Sequence, residues 1–216
     1  MEATLRLSRL RAGRLRARGP YVMSVAERLL IDRLKERDED AFGEIVRLYG
    51  DKVFSLVYRM LGSRAEAEDI AQEVFITVFK TIDGFRGEAK FSTWLLRIAA
   101  NQSKNRIKYL ARRATDPEAL DGEAEAAAPT TPHVAPLAGQ IDGPDVIMEA
   151  AELDGLLQRA IADLDEEQRL LVILRDVEEL SYEEIGEVTA LPAGTIKSRL
   201  HRARMAIKEW LDRHTR

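Results

Sequence analysis

Apolar residues recur every three to four positions through most of this chain. In AERLLIDRLKERDEDAFGEIVRLYGDKVFSLVYRMLG, and again in DIAQEVFITVFKTI, they form the stripe that one face of an α-helix buries. No stretch alternates apolar and polar residues as a half-buried strand would. Helix starts are marked too: Ser63 with Glu66, just after Gly62, and Ser181 with Glu184 have the spacing of a capping box. The pattern predicts an all-α protein.

Periodicity fails between residues 114 and 148, ATDPEALDGEAEAAAPTTPHVAPLAGQIDGPDVIM, which holds five of the seven prolines. From Arg113 to Arg159 no Lys or Arg intervenes, while ten acids do, so the segment has little apolar surface to bury. It reads as a flexible, acidic linker. The expected organisation is a basic, disordered extension over 1–22, a helical domain over 23–113, the linker over 114–148, and a second helical domain over 149–216. Residues 1–22 hold six Arg and one acid. Met23 opens the helical pattern behind them, which favours a translated upstream stretch with no role over an arm that touches nucleic acid or membrane.

Composition removes several function classes. There is no Cys, and the three histidines, His133, His201 and His214, are too scattered for a metal cluster, so neither a metal nor another cofactor is expected. Apolar runs such as FITVF and LLVIL are far below the roughly 20 residues of a membrane helix. A soluble, cytoplasmic protein without membrane insertion is expected. No phosphate-cradling glycine motif, nucleophile elbow or apolar carboxylate pair suggests an enzyme, since Glu183 and Glu184 sit in a helix's first turn, where capping explains them.

The net charge is −4, yet residues 85 to 113, FRGEAKFSTWLLRIAANQSKNRIKYLARR, carry eight Lys/Arg against the single acid Glu88. On a helical wheel Phe91, Leu95, Ile98, Gln102 and Tyr109 share one side. Lys90, Arg97, Asn101, Lys104, Lys108 and Arg112 line another, with Trp94 at the border. A merely solvated face mixes signs; this one does not. Cations interleaved with rings suit nucleic acid, because phosphates supply affinity and unstacked bases lie on aromatics. The preceding loop, DGFRGEAKF, is a candidate to hold a flipped base, although on spacing alone Phe91 and Trp94 read equally as core, and Phe91 is assigned there.

The second domain divides by charge: residues 151 to 187 have twelve acids and three bases, residues 190 to 216 two acids and seven Lys/Arg. SYEEIGEVTALPAGTIKSRLHRARMAIKEWL reads as a capped helix, a turn at LPAG and a second helix with the core stripe Ile196, Leu200, Ala203 and Ile207. Lys197, Ser198, His201 and Arg202 are left facing outward. A helical hairpin for protein contact is possible, but the small and basic exposed face favours a helix-turn-helix that reads the major groove.

Together, AEAEDIAQEVFITVFKTIDGFRGEAKFSTWLLRIAANQSKNRIK and LDEEQRLLVILRDVEELSYEEIGEVTALPAGTIKSRLHRARMAIKEWL resemble regions two and four of the extracytoplasmic-function (ECF) group of bacterial sigma factors. A simple helix-turn-helix repressor accounts only for residues 181 to 210. The resemblance implies a factor that binds core RNA polymerase, recognises promoter DNA and helps melt it. It places Asp69, Gln72 and Glu73 on the clamp helices of the largest subunit and the second domain near the flap of the second-largest. It assigns the single-stranded minus-ten element to Phe85, Arg86, Lys90, Trp94, Arg97, Asn101, Lys104 and Lys108. The minus-thirty-five element falls to Thr195, Lys197, Ser198, Arg199, His201 and Arg202, with Arg199 at phosphate. An anti-sigma partner is implied as well, and the acidic linker is either a nucleic-acid mimic in polymerase or a passive tether.

If residues 1–22 have no role, a chain starting at Met23 retains full core binding and run-off transcription. A large loss of either, measured side by side with the full chain, would make the arginine-rich stretch functional.

Overall fold

The computed structural model describes residues 23–115 and 144–214, with side chains from 153 onward in the second span. The 1–22 extension and most of the expected linker lie outside the described residues. Among those described there is no strand, in keeping with the all-α expectation. Helix α1 is Val25–Lys35, α2 Glu39–Leu61 and α3 Arg64–Thr81; a 3₁₀ turn over Ile82–Gly84 leads through a loop to α4, Phe91–Thr115. The second group comprises α5 Pro144–Ala162, α6 Glu166–Val172, a π turn Ile173–Val177, α7 Tyr182–Thr189 and α8 Ala193–His214.

Local chemistry sets the boundaries. Asp38 caps α2 by accepting from the Ala41 N–H at 3.1 Å, and Gly62, at φ 75°, ends it by donating to the Tyr58 carbonyl. Helix α5 opens at Pro144, inside the stretch expected to be linker; proline suits a first helical position, where its missing N–H costs nothing. At Ser181 the capping box is complete, with Ser181 Oγ accepting from the Glu184 N–H at 3.2 Å and the Glu184 carboxylate from the Ser181 N–H at 2.7 Å. At Ser63 only half of the box forms. Ser63 accepts from the Glu66 N–H, but the Glu66 carboxylate turns away to pair with Arg106 of α4. A charged partner outcompetes the neutral backbone donor.

The first group buries Val53, Leu56, Val57 and Met60 of α2, Ala67, Ile70, Val74 and Val78 of α3, and Leu95, Leu96, Ala99 and Ala100 of α4. The second buries Ile161, Leu164, the run Leu170–Leu174, Ile185, Val188 and the predicted stripe Ile196, Leu200, Ala203 and Ile207. The groups also touch each other: α2 meets α5, α6 and the π turn, and α4 meets α7. Arg169 is central to that junction. It donates to the carbonyls of Met60 at 2.7 Å, Ala162 at 2.6 Å and Leu164 at 3.1 Å, serving two helix C-termini whose carbonyls lack intrahelical partners. Burial lowers the Arg169 pKa, against the raising effect of Glu166 and Asp165.

Phe91 is fully buried where α4 begins. Replacing it with Ala is expected to cost about 3–5 kcal/mol. The denaturant midpoint falls accordingly, and Trp94 emission, whose ring lies 5.8 Å from Phe91, shifts to the red.

Candidate nucleic-acid interface

The head of α4 is organised by rings. Phe85 meets Phe91 edge-on at 5.5 Å and Trp94 at 5.4 Å, and Tyr49 of α2 closes the cluster 5.3 Å from Phe91. Phe91 belongs to the core, one of the two readings left open by its spacing. Phe85, expected at the DNA surface, is only 4% exposed, because the loop folds back and packs this ring against Phe91 and Trp94. It instead helps line a cleft of about 240 Å³ between the loop and α1, with Met23, Arg28, Asp32, Lys35 and Arg86. Gly87, at φ 74°, lets the loop close there: a Cβ would stand 3.2 Å from the Met23 methyl. Arg28 and Lys35 escaped the sequence reading, since cations on the outer side of an amphipathic helix carry no signal of what lies opposite.

Beyond the cluster the helix sorts as its periodicity predicts, with the exception of Tyr109. Gln102 faces inward and donates to Thr77 Oγ1 at 2.7 Å. Arg97, Asn101, Lys108 and Arg112 are exposed and Lys104 half-buried, on a helix that contains no acid. None of these four cations has an acid as ion-pair partner among the described residues. Two other cations of the segment are taken up internally: Arg106 by Glu66, and Lys90 by Glu184 of α7. Tyr109, expected on the core side, stands on the surface with the Arg106 guanidinium 5.2 Å from its ring centre. On α3, Asp69, Gln72 and Glu73 are exposed on one face. Ile76, half exposed, extends that face by one turn. Sequence reading missed it among the other apolar residues of α3, although it is out of phase with Ile70, Val74 and Val78.

Helix α8 presents Lys197, Ser198, His201 and Arg202 to solvent, opposite its buried stripe. Ser198 Oγ donates to the Thr195 carbonyl at 3.0 Å, and Lys197 Nζ lies 5.4 Å over the Tyr182 ring. Arg204 braces the helix against the π turn through Asp176, which it grips with two nitrogens at 2.5 and 3.0 Å. Arg199, expected at phosphate, is drawn into an ion pair with Glu167 of α6. The turn before α8 is tight: Ala190 takes the left-handed conformation at φ 58°. A Cβ on Gly186 would reach 3.4 Å from the Leu191 carbonyl.

The chain matches two protein families, Sigma-70 region 2 over residues 45–113 and Sigma-70, region 4 over residues 154–207. It is 40% identical over 181 residues to the ECF RNA polymerase sigma factor SigW of Bacillus subtilis, covering 84% of this chain and 94% of that one. It is 36% identical over 185 residues to the ECF RNA polymerase sigma-E factor of Escherichia coli K12, covering 85% and 93%. Among solved structures, CnrH in complex with the cytosolic domain of CnrY aligns with a TM-score of 0.60 at 20% identity over 87% of this chain and 97% of that one. RpoE of Bartonella quintana, in complex with the anti-sigma factor NepR, aligns at 0.58 and 23% over 79% and 96%. At these identities the structural likeness speaks for the fold.

Proposed function

Since the chain belongs to the extracytoplasmic-function group of RNA polymerase sigma factors, we propose how its surfaces divide the work of initiation. As a sigma factor it directs polymerase to promoters and starts transcription there. On our reading it does so by binding and positioning alone, with no reaction of its own. The open face of α3, Asp69, Gln72 and Glu73 with Ile76, meets the clamp helices of the largest subunit, pairing hydrogen-bonding groups with one apolar contact. The second domain sits near the flap of the second-largest subunit. Its α8 enters the major groove of the minus-thirty-five element with Lys197, Ser198, His201 and Arg202, while Thr195 and Arg199 serve at the edge; Arg199 must exchange Glu167 for phosphate.

The minus-ten element is held along α4. The observation that carries this reading is Asn101, exposed between Arg97 and Lys104 on a helix without acids. Its amide donates and accepts, which suits a base edge, whereas the flanking cations suit the backbone. Opening a base pair costs a few kcal/mol, and stacking returns about 1–3 kcal/mol per base. The cleft beside Arg86 offers an unpaired base a place to go, and the half-buried Trp94, packed against Phe85, a ring to lie against. Partners follow from the family. CnrH and RpoE are each held by a second protein in their structures, and an anti-sigma protein is proposed here too. The factor works in the cytoplasm, where polymerase and promoter meet; among the described residues no helix is long and apolar enough to cross a membrane.

Run-off transcription with purified core enzyme tests both surfaces. Lys197→Ala, His201→Ala or Arg202→Ala is expected to leave core binding unchanged and weaken the upstream element; a lost base-edge contact costs about 1–3 kcal/mol and changes sequence preference. If all three variants keep wild-type preference, α8 does not read the element.

Asn101→Ala is expected to slow open-complex formation on duplex promoters more than on templates already mismatched at the minus-ten element. Lys104→Ala and Lys108→Ala weaken both templates and each lower the salt slope by about one counterion. Permanganate footprints of melted thymines read the outcome, and normal melting by the Asn101 variant removes it from the site.

A further inference from the structure

Arg37 stands just past the end of α1 with φ 65°, in the left-handed region that residues other than glycine rarely adopt. The hydrogen bonds around it form a Schellman stop: the Arg37 N–H donates to the Leu34 carbonyl and the Asp38 N–H to that of Arg33, each at 3.1 Å. Glycine is the usual residue at this position, because it takes the conformation without strain. An arginine there is held against its own backbone preference, which directs attention to what its side chain does.

The side chain crosses to another part of the fold. Its guanidinium donates to Asp83 of the 3₁₀ turn at 2.6 Å, 46 residues away, and lies 5.4 Å from the centre of the Phe79 ring near the end of α3. Phe79 is held edge-on in turn by Phe42 of α2 at 5.3 Å. Both members of the Arg37–Asp83 pair are open to solvent, at 39% and 66% of the side chain, so the pair adds little to stability. It does fix a position, because a planar guanidinium seated on a ring has one direction left in which to meet a carboxylate.

That position bears on the cleft beside Arg86. Arg28, Asp32 and Lys35 of α1 line one side of it, and Phe85, Arg86 and Gly87 of the loop the other. Two crossings bound it. Ahead of α1, Met23 packs so closely on Gly87 that a Cβ there would stand 3.2 Å from the methionine methyl. Past the end of α1, Arg37, two residues beyond Lys35, meets Asp83, two residues before Phe85. The loop therefore runs back along α1 and is tied to it at both ends.

We propose that Arg37 is a positioning residue for promoter opening: through Asp83 it clasps the loop to α1 and sets the width of the cleft that receives the unpaired minus-ten base. The inference rests on the reading of that cleft as the seat of the base. Arg37 itself does not touch the base. With the clasp closed the loop is ordered before the base arrives, so ordering it does not weaken binding. A slot of fixed width also rejects the wrong base, whereas a slack one adjusts to each.

The test turns on Arg37→Gly, which relieves the left-handed strain while removing the clasp. The variant is expected to unfold at the wild-type denaturant midpoint or above it, and to bind core enzyme as wild type does. Holoenzymes carrying each factor are offered duplex templates that keep the upstream part of a promoter transcribed by wild type and are randomised across the minus-ten element. Templates that survive a heparin challenge are sequenced. Arg37→Gly is expected to reduce the preference at one minus-ten position about fivefold, near the low end of what a base contact discriminates, and to leave the other positions unchanged. Asp83→Asn is expected to do the same, although it removes a negative charge and would strengthen binding if Arg37 were a phosphate contact. The double variant is no worse than either single one, because both break the same link. Unchanged preference in Arg37→Gly, a uniform loss at every position, or an Asp83→Asn variant that sharpens the preference overturns the proposal. Lys35→Ala/Arg86→Ala separates the two layers: if this variant loses the preference and Arg37→Gly keeps it, the cleft stands and the clasp fails; if it selects like wild type, the cleft is not the seat of the base.

Discussion

Phe91 enters the core at the first position of α4, and that burial orients all that the helix carries. Tyr49, Phe85 and Trp94 gather around the ring, tying the start of the preceding loop to α2. With the head of the helix pinned, Leu95, Leu96, Ala99 and Ala100 follow into the core at helical spacing. Arg97, Asn101, Lys108 and Arg112 are forced outward by the same geometry, since 100° per residue leaves them nowhere else to point. The exposed face proposed to read bases is thus the complement of a packing decision made at one aromatic residue. The cleft at Arg86 is tied to the same cluster, because Phe85 is one of the residues that line it.

Electrostatics then divide the cations into two populations. Arg106, Arg199, Arg204 and Lys90 each meet an acid from another element, Glu66, Glu167, Asp176 and Glu184 respectively. These pairs align helices and domains. Exposed pairs of this kind contribute little to stability, typically about 0–1 kcal/mol, so their value lies in withdrawing positive charge from solvent and fixing orientation. Arg97, Lys104, Lys108, Lys197 and Arg202 have no such acid among the described residues. They are the cations left open, and the ones proposed to meet phosphate or base edges, in a chain whose net charge is −4.

Much of this was visible in one dimension. The stripe Ile196, Leu200, Ala203 and Ile207, the outward set on α8, the complete cap at Ser181 and the two faces of α4 depend on spacings of three, four and seven residues. Local helical geometry is enough to place such residues relative to one another. The family resemblance was legible for the same reason, as two helical motifs in a fixed order with their charges in register.

Other features depend on contacts that no periodicity encodes. Phe85 looked like a surface ring until the loop folded it onto Phe91 and Trp94, and Glu66 looked like half of a capping box until Arg106, 40 residues away, claimed it. Arg199 and Glu167 are 32 residues apart. Lys90 and Glu184 are 94 apart and belong to different domains. Whether a charged side chain is free or engaged is a property of what packs opposite it, and that is settled only when the helices pack, within a domain or across two. Helices, caps and faces follow from energies that act within one or two turns; which cations are paired and which stay open follows from how those helices come to rest against one another.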